Sequence, residues 1–319
     1  MDPVVEAAVP AVPGPDATAA APRLPWRKRH PHRARLLLYG LLLGVLLASA
    51  WLWRDARQRY LWARLEQVSV LLAMDASGAS ARQVLDDEFR AYGALEALLQ
   101  DRDLRAREQR MRAVIAFLVQ DRATMEQAFT RAAALDPGHA RLTAVERASC
   151  LVRLGDAEAA SAALPQPLHV AGEGWAQTIW ALLVHAQAQD IRGGGAASRA
   201  ALAAALASLP RPLPQEAPMW LGLAPFTPSG AALEATRWLV SGPDPASDAR
   251  RTEVRALWRQ LAAVAGGDVE VLLAAAAELE ALGDLAAARA ALERASALDP
   301  GGVERALQSQ PRLEALRAR

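Results

Sequence analysis

The sequence predicts an all-α protein with one N-terminal transmembrane helix. Hydrophobic residues make up 52% of the 319 residues and aromatic residues only 5%, so Ala and Leu supply most of the apolar content. Both have high helix propensity. Beyond position 60, apolar residues recur every three or four positions, the spacing of one helical face. The uncharged run LLLYGLLLGVLLASAWLW at 36–53 predicts the transmembrane helix.

Residues 1–35 precede this run and predict a disordered, basic cytoplasmic tail. Residues 1–25 are rich in Pro and Ala and show no helical spacing. Proline blocks helix propagation, and the segment has too little apolar surface to offset the entropy of ordering. A plain solvated tail is the simpler interpretation, and a ligand for a cytoplasmic partner is the other.

The apolar run at 36–53 is long enough to cross a bilayer, since about 1.5 Å per residue gives roughly 27 Å. The basic sequence WRKRHPHRAR precedes it, whereas the arginines after it are diluted by Asp55 and Glu66. This charge bias places the N-terminus in the cytoplasm. Lysine occurs only as Lys28, which is typical of a GC-rich bacterial genome. We therefore expect a single-pass protein of the bacterial inner membrane with a periplasmic main domain.

Two alternatives compete with an uncleaved anchor. Ala48-Ser49-Ala50 resembles a signal-peptidase site, and cleavage after Ala50 would release a soluble periplasmic protein. The leader would be unusually long, however, and the apolar run continues through Trp53. The run is also compatible with a buried helix of a soluble protein.

Residues 54–100 predict a juxtamembrane helical stalk. The membrane helix is expected to continue to about Met74 and to end at the small residues 77–80, because Leu61, Leu65, Val68 and Leu72 share one face. A second helix follows, with an apolar face formed by Leu85, Phe89, Tyr92, Leu95 and Leu99.

The charged segment DRDLRAREQRMR at 101–112 predicts an exposed helix face. Its acids and arginines are four residues apart with the acid first, an arrangement that stabilises solvated helices. The pairs are Asp101–Arg105, Asp103–Arg107 and Glu108–Arg112.

Residues 101–319 predict a helical repeat domain. Its clearest unit, VEVLLAAAAELEALGDLAAARAALERASALDPG from Val269, resembles the tetratricopeptide repeat (TPR). Small residues allow two helices to approach closely, Gly283-Asp284 makes the turn, and Pro300 ends the unit. A weaker copy includes RAAALDPG at 131–138, which echoes RASALDPG at 294–301.

The middle of this domain is less regular. The motifs LPQPL at 164–168 and LPRPL at 209–213 bracket two helices joined at Gly193-Gly194-Gly195. Residues 214–242 depart from the repeat pattern and predict a Pro-rich loop with a short helix, and a longer helix is expected at 246–265.

The resemblance implies a TPR-like α-solenoid of antiparallel helix pairs whose concave surface binds peptides or proteins. The inward-facing positions of the motif are Arg107, Arg110 and Val114 in the early repeat, and Glu270, Leu273 and Ala277 in the late one. The irregular middle contains Trp175, Trp180, Trp220, Trp238 and Trp258, which either fill the core or anchor a partner in a groove.

The sequence offers no motif for catalysis, cofactors or nucleic acid. A net charge of +1 with interspersed signs lacks the basic footprint of a nucleic-acid binder. The five histidines form neither H-x-x-x-H nor H-E-x-x-H, and the lone Cys150 is expected in the core. We therefore expect no cofactor, no metal and no enzymatic activity.

These observations lead to one principal function and two alternatives. We expect a scaffold or assembly factor that binds protein partners of a bacterial envelope complex, of the secretion, pilus, polysaccharide or cytochrome-maturation type. One alternative is a periplasmic enzyme with a site in the 166–245 region, near His169 and His185. The other is a structural subunit of a larger membrane complex. The sequence leaves the oligomeric state open.

Overall fold

The computed structural model describes residues 31–74, 78–89, 101–168, 174–216, 219–221, 224–241, 248–309 and 311–318. Nearly all of them are helical, which confirms the all-α prediction, and one short hairpin is the exception. The tail at 1–30 lies outside the described residues. The helices are α1 (Pro31–Met74), α2 (Ala79–Phe89), α3 (Arg102–Leu118), α4 (Arg122–Leu135), α5 (Ala140–Arg153), α6 (Ala157–Ala163), α7 (Trp175–Gln189), α8 (Gly195–Ala207), α9 (Pro228–Val240), α10 (Asp248–Val264), α11 (Val269–Ala281), α12 (Leu285–Leu298), α13 (Pro300–Ser309) and α14 (Pro311–Ala318).

The chain divides into two units, one ending at Ala56 and the other beginning at Arg57. The first contains the predicted membrane segment, whose large apolar side chains between Leu36 and Trp53 are exposed. The helix is long and apolar enough to cross a membrane, with a mean hydropathy of 2.1 in its most apolar window. Because none of that window is buried, the structure argues against the core helix of a soluble domain.

The second unit includes the juxtamembrane residues of α1 from Arg57 onward. Leu61, Leu65 and Val68 are buried there in a cluster with apolar residues of α2 and α3. α1 ends at Met74, as predicted, and Gly78 has a φ of +66° just before α2 begins. The juxtamembrane helix therefore packs as part of the helical domain. Tyr92, Leu95 and Leu99 of the predicted second helix lie outside the described residues.

Three helix connections share one backbone design. α3 packs against α4, α5 against α6, and α11 against α12. In each pair, the first helix is followed by a residue with left-handed backbone and then by an aspartate. The backbone N–H of that aspartate donates a hydrogen bond to the carbonyl oxygen five residues earlier, as in a Schellman motif. The left-handed residues are Gln120 (φ +59°), Gly155 (φ +80°) and Gly283 (φ +76°). The N···O distances are 2.8 Å for Asp121 to Ala116, 2.9 Å for Asp156 to Leu151 and 2.8 Å for Asp284 to Leu279.

The two LDPG sequences also adopt matching turns. Asp136 and Asp299 each donate a backbone hydrogen bond of 3.0 Å to the residue four positions earlier. Each carboxylate then accepts from the backbone N–H three positions later, His139 at 3.2 Å and Gly302 at 2.8 Å. The sequence echo between 131–138 and 294–301 thus corresponds to the same local structure.

The middle of the domain contains the elements that depart from this design. In both proline motifs the second X–Pro bond is cis, at Gln166–Pro167 and Arg211–Pro212. Gly193, with a φ of +89°, separates α7 from α8 at the predicted glycine turn. Strands β1 (Met219–Leu221) and β2 (Ala224–Phe226) pair antiparallel with Met219 opposite Phe226. The sequence predicted a loop in this stretch, because so short a hairpin leaves no alternating pattern.

One continuous core extends from α3 to α14. The helix predicted at 246–265 is α10, and its Trp258 is buried in this core. Cys150 is also buried, as expected, and its burial raises the pKa of the thiol to about 12.

A candidate partner-binding cleft beside the juxtamembrane helix

The charged segment of α3 is largely buried, so the prediction of an exposed face was wrong. Arg107 is 9% exposed and Glu108 only 1%, and Gln109 is buried as well. The juxtamembrane helix and α2 pack on this side of α3 and exclude water from it. A spacing of four residues indicates which charges can pair along a helix, but it does not indicate which neighbouring helix covers them.

Glu108 is the shared hydrogen-bond acceptor in the buried charged layer of α3, residues 105–112. Its carboxylate accepts hydrogen bonds from Gln109 at 2.7 Å, from Arg105 at 3.2 Å and from Arg112, the last being a predicted pair. Arg112 also binds Asp86 of α2 at 2.7 Å. Pairing of this kind offsets the cost of burying these charges. The loss of one partner would leave the other charge buried and uncompensated.

A cleft of about 280 Å³ opens beside this layer, between the juxtamembrane helix, α3 and the start of α5. Arg107 lies over the Trp62 ring, with 5.1 Å between its guanidinium carbon and the ring centroid. Burial, followed by the nearby charge of Arg110, lowers the pKa of Arg107 from its usual value. The two predicted partner-binding arginines thus meet in one site. Its lining residues are Trp62, Asp103, Arg107, Arg110, Asp136, His139 and Leu142.

Arg110 faces one buried carboxylate. Its Nε lies 3.7 Å from an oxygen of Glu146, which is longer than a hydrogen bond. Its Nη1 is buried and has no hydrogen-bond partner among the residues that the structure describes. A buried guanidinium N–H without an acceptor is costly, so this side chain is placed to donate a hydrogen bond to a further anionic or carbonyl group.

The rim of the cleft is formed by a short 3₁₀ turn, Pro137–His139. The Nδ1 of His139 lies 2.7 Å from Asp136, which fixes the ring while 65% of the side chain remains exposed. Sequence reasoning missed Trp62 and His139. His139 is the one residue at which LDPGH at 135–139 differs from LDPGG at 298–302.

The remaining predicted binding residues lie outside this cleft. Val114 is 3% exposed and packs in the cluster beneath the juxtamembrane helix, so a partner cannot contact it in this structure. On α11, Glu270 is exposed and Leu273 and Ala277 are half-buried. None of the cleft-lining residues comes from α11.

The tryptophans of the irregular middle also do not converge on the cleft. Trp180 is buried in the core and Trp175 packs partly against it. Trp238 is half-buried beneath Arg199, whose guanidinium carbon lies 4.4 Å from the ring centroid. Trp220 lies in β1. The positions of Trp175, Trp180 and Trp238 favour core filling over a shared aromatic groove.

A second cleft of about 250 Å³ lies partly in the region proposed for an enzymatic site. Its two carboxylates hold helix N-termini: Glu216 accepts from the Trp175 N–H at 2.9 Å, and Asp268 accepts from the Val271 N–H at 3.2 Å. Asp268 also accepts from Ser229 at 2.6 Å. His185 is half-buried on α7 and does not line this cleft, and His169 lies outside the described residues.

Among the described residues, no group of three His, Cys, Asp or Glu side chains is arranged to hold a metal ion. Comparison with protein families, curated proteins and solved structures finds no match to this chain.

Proposed function

We propose that this protein is a non-enzymatic, membrane-anchored scaffold or assembly factor that binds protein partners of a bacterial envelope complex. Residues 36–53 hold it in the inner membrane with the N-terminus in the cytoplasm. The helical domain then extends into the periplasm as a TPR-like solenoid of antiparallel helix pairs. The resemblance to TPR sequences supports this arrangement, and so do the matching left-handed turns at Gln120, Gly155 and Gly283.

The observation that carries the proposal is the cleft beside the juxtamembrane helix. It combines an aromatic wall, Trp62, with the guanidinium groups of Arg107 and Arg110. Tryptophan and arginine are the residue types that most often dominate protein–protein binding energy. The second cleft supports an enzyme less well, because its carboxylates already bind helix N-termini.

Photo-cross-linking in native membranes tests this proposal. A photoreactive phenylalanine derivative replaces His139 at the rim of the cleft, and a control variant carries it at Arg317 of α14, which is also well exposed. We expect a discrete adduct with an envelope protein at position 139 and none at position 317. Adducts that are absent or identical at both positions would contradict a specific partner at the cleft.

A further inference from the structure

The largest local excess of positive charge in the chain directly precedes the predicted membrane segment. Residues 23–35, which we call the basic segment, contain six basic residues, and no Asp or Glu occurs between Asp16 and Asp55. These positive charges therefore have no carboxylate within the segment or within the apolar run that follows it. The six residues are Arg23, Arg27, Lys28, Arg29, Arg33 and Arg35.

The last residues of the basic segment form the start of α1. This helix begins at Pro31, and Arg33 and Arg35 are exposed near its N-terminal end. The dipole of a helix favours acids and disfavours cations at that end, yet the first turn of α1 contains no acid. The nearest acid along α1 is Asp55, roughly 30 Å beyond Arg35. Helix stabilisation thus does not account for these two arginines, and a counter-charge for them has to come from outside α1.

With residues 36–53 in a bilayer, both arginines lie at the level of the phospholipid headgroups. At about 1.5 Å per residue, Arg33 and Arg35 are about 4.5 Å and 1.5 Å outside Leu36, the first residue of the apolar run. The headgroup layer on each side of the hydrocarbon core is roughly 5–8 Å thick. Lipid phosphates are therefore the nearest anions to these two side chains. A soluble nucleic acid would have to enter the same layer to reach them, which favours lipid as the partner.

We propose that the basic segment binds the phosphate groups of anionic phospholipids in the leaflet on the N-terminal side of the membrane. Arg33 and Arg35 bind within the headgroup layer, where a planar guanidinium can hold a phosphate through two hydrogen bonds. The basic residues at 27–29 lie further out and are attracted by the negative surface potential of the leaflet. This proposal rests on the membrane anchor of the proposed function. The same charges favour one orientation during insertion, whereas the lipid contact belongs to the inserted chain.

Fluorescence quenching with the full-length chain in lipid nanodiscs tests the proposal. A dye is attached at Leu24→Cys, inside the basic segment, and a nitroxide on the lipid headgroup quenches the dye on close approach. Cys150 is buried, so the introduced thiol carries the dye. We expect at least about twofold more quenching in nanodiscs of phosphatidylcholine with phosphatidylglycerol than in nanodiscs of phosphatidylcholine alone, because an anionic leaflet attracts basic segments. Equal quenching in the two kinds of nanodisc would overturn the proposal.

Substitutions localise the contact. The triple variant Arg27→Gln, Lys28→Gln and Arg29→Gln is expected to lower the equilibrium constant for the contact at least about tenfold, since each basic residue near an anionic surface contributes about fivefold. The matched control removes the same charge from exposed positions on other helices and should leave the quenching unchanged. Its substitutions are Arg251→Gln, Arg305→Gln and Arg317→Gln. An equal effect of the two triple variants would assign the quenching to net charge and contradict a contact made by the basic segment.

Competition distinguishes the source of the anion. Sodium chloride at about 1 M should relieve the quenching, because it shortens the Debye length to about 3 Å. Relief by inorganic phosphate far below the ionic strength that chloride requires would assign the segment to free phosphate and overturn the lipid assignment. Relief by an equimolar uridine oligonucleotide would assign it to a nucleic acid instead. A chain that inserts into neither kind of nanodisc would reject the membrane anchor of the proposed function, whereas an inserted chain with equal quenching in both rejects only the lipid contact.

Discussion

Gln120 adopts a left-handed backbone where Gly155 and Gly283 occupy the equivalent turns. It is the single non-glycine residue with positive φ among the described residues. A side chain in this conformation costs about 1–2 kcal/mol, because its Cβ approaches the following carbonyl oxygen. The other two turns read Leu-Gly-Asp, whereas this one reads Val119-Gln120-Asp121, so no glycine marks it in the sequence.

Gln120→Gly is therefore expected to stabilise the domain. The relief of strain exceeds the extra chain entropy of glycine, so the expected gain is about 0.5–1 kcal/mol, which raises Tm by about 1–3 °C for a domain of this size. Thermal unfolding followed by circular dichroism measures it. Gln127→Gly, at an exposed position within α4, is the control and should destabilise by roughly 1 kcal/mol. A loss of stability in Gln120→Gly would show that its side chain contributes more than the strain costs.

At the scale of elements, the juxtamembrane helix determines which residues form the site. It buries Val114, covers the charges around Glu108 and contributes Trp62 to the cleft. The apolar spacing of Leu61, Leu65 and Val68 predicted that they share one face, and the structure buries all three, but spacing within a helix does not identify its partner. The sequence therefore predicted helices and several turns, and the resemblance to TPR sequences put Arg107 and Arg110 among the predicted partner-binding residues. The Trp62 wall of their cleft depends on packing between the juxtamembrane helix and α3. These segments are about 40 residues apart in sequence, and no local pattern encodes their contact.

Leu65→Ala tests whether the juxtamembrane helix is part of the domain. Leu65 is fully buried, and removal of such a side chain costs about 2–5 kcal/mol of the free energy of unfolding. Denaturant unfolding of the full chain in detergent, followed by far-UV circular dichroism, measures this loss. The matched control is Leu52→Ala, because Leu52 is exposed in the membrane segment and should leave the unfolding midpoint unchanged. An unchanged midpoint for Leu65→Ala would mean that the juxtamembrane residues unfold independently of the rest.

At the scale of the whole molecule, the proposed function requires the cleft and the N-terminal tail to lie on opposite sides of the membrane. The chain is suited to a test by thiol labelling, because its only cysteine, Cys150, is buried and burial raises the pKa of its thiol to about 12. Maleimides react with the thiolate, so the unmodified chain should give little background. Single cysteines can then be introduced at Ala286, which is exposed on α12, and at Thr18 in the tail.

A membrane-impermeant maleimide, applied to cells with a permeabilised outer membrane, should label Ala286→Cys before lysis and Thr18→Cys only after lysis. The basic residues before the apolar run favour this orientation, and a run of about 27 Å suffices to keep the two sites apart. The reverse pattern would contradict the orientation and remove the cleft from the periplasm. Cleavage after Ala50 gives a third distinguishable result, because labelled Ala286→Cys would then appear in the soluble fraction without the tail. Retention of the labelled full-length chain in membranes washed with alkaline carbonate is therefore the outcome that an uncleaved anchor requires.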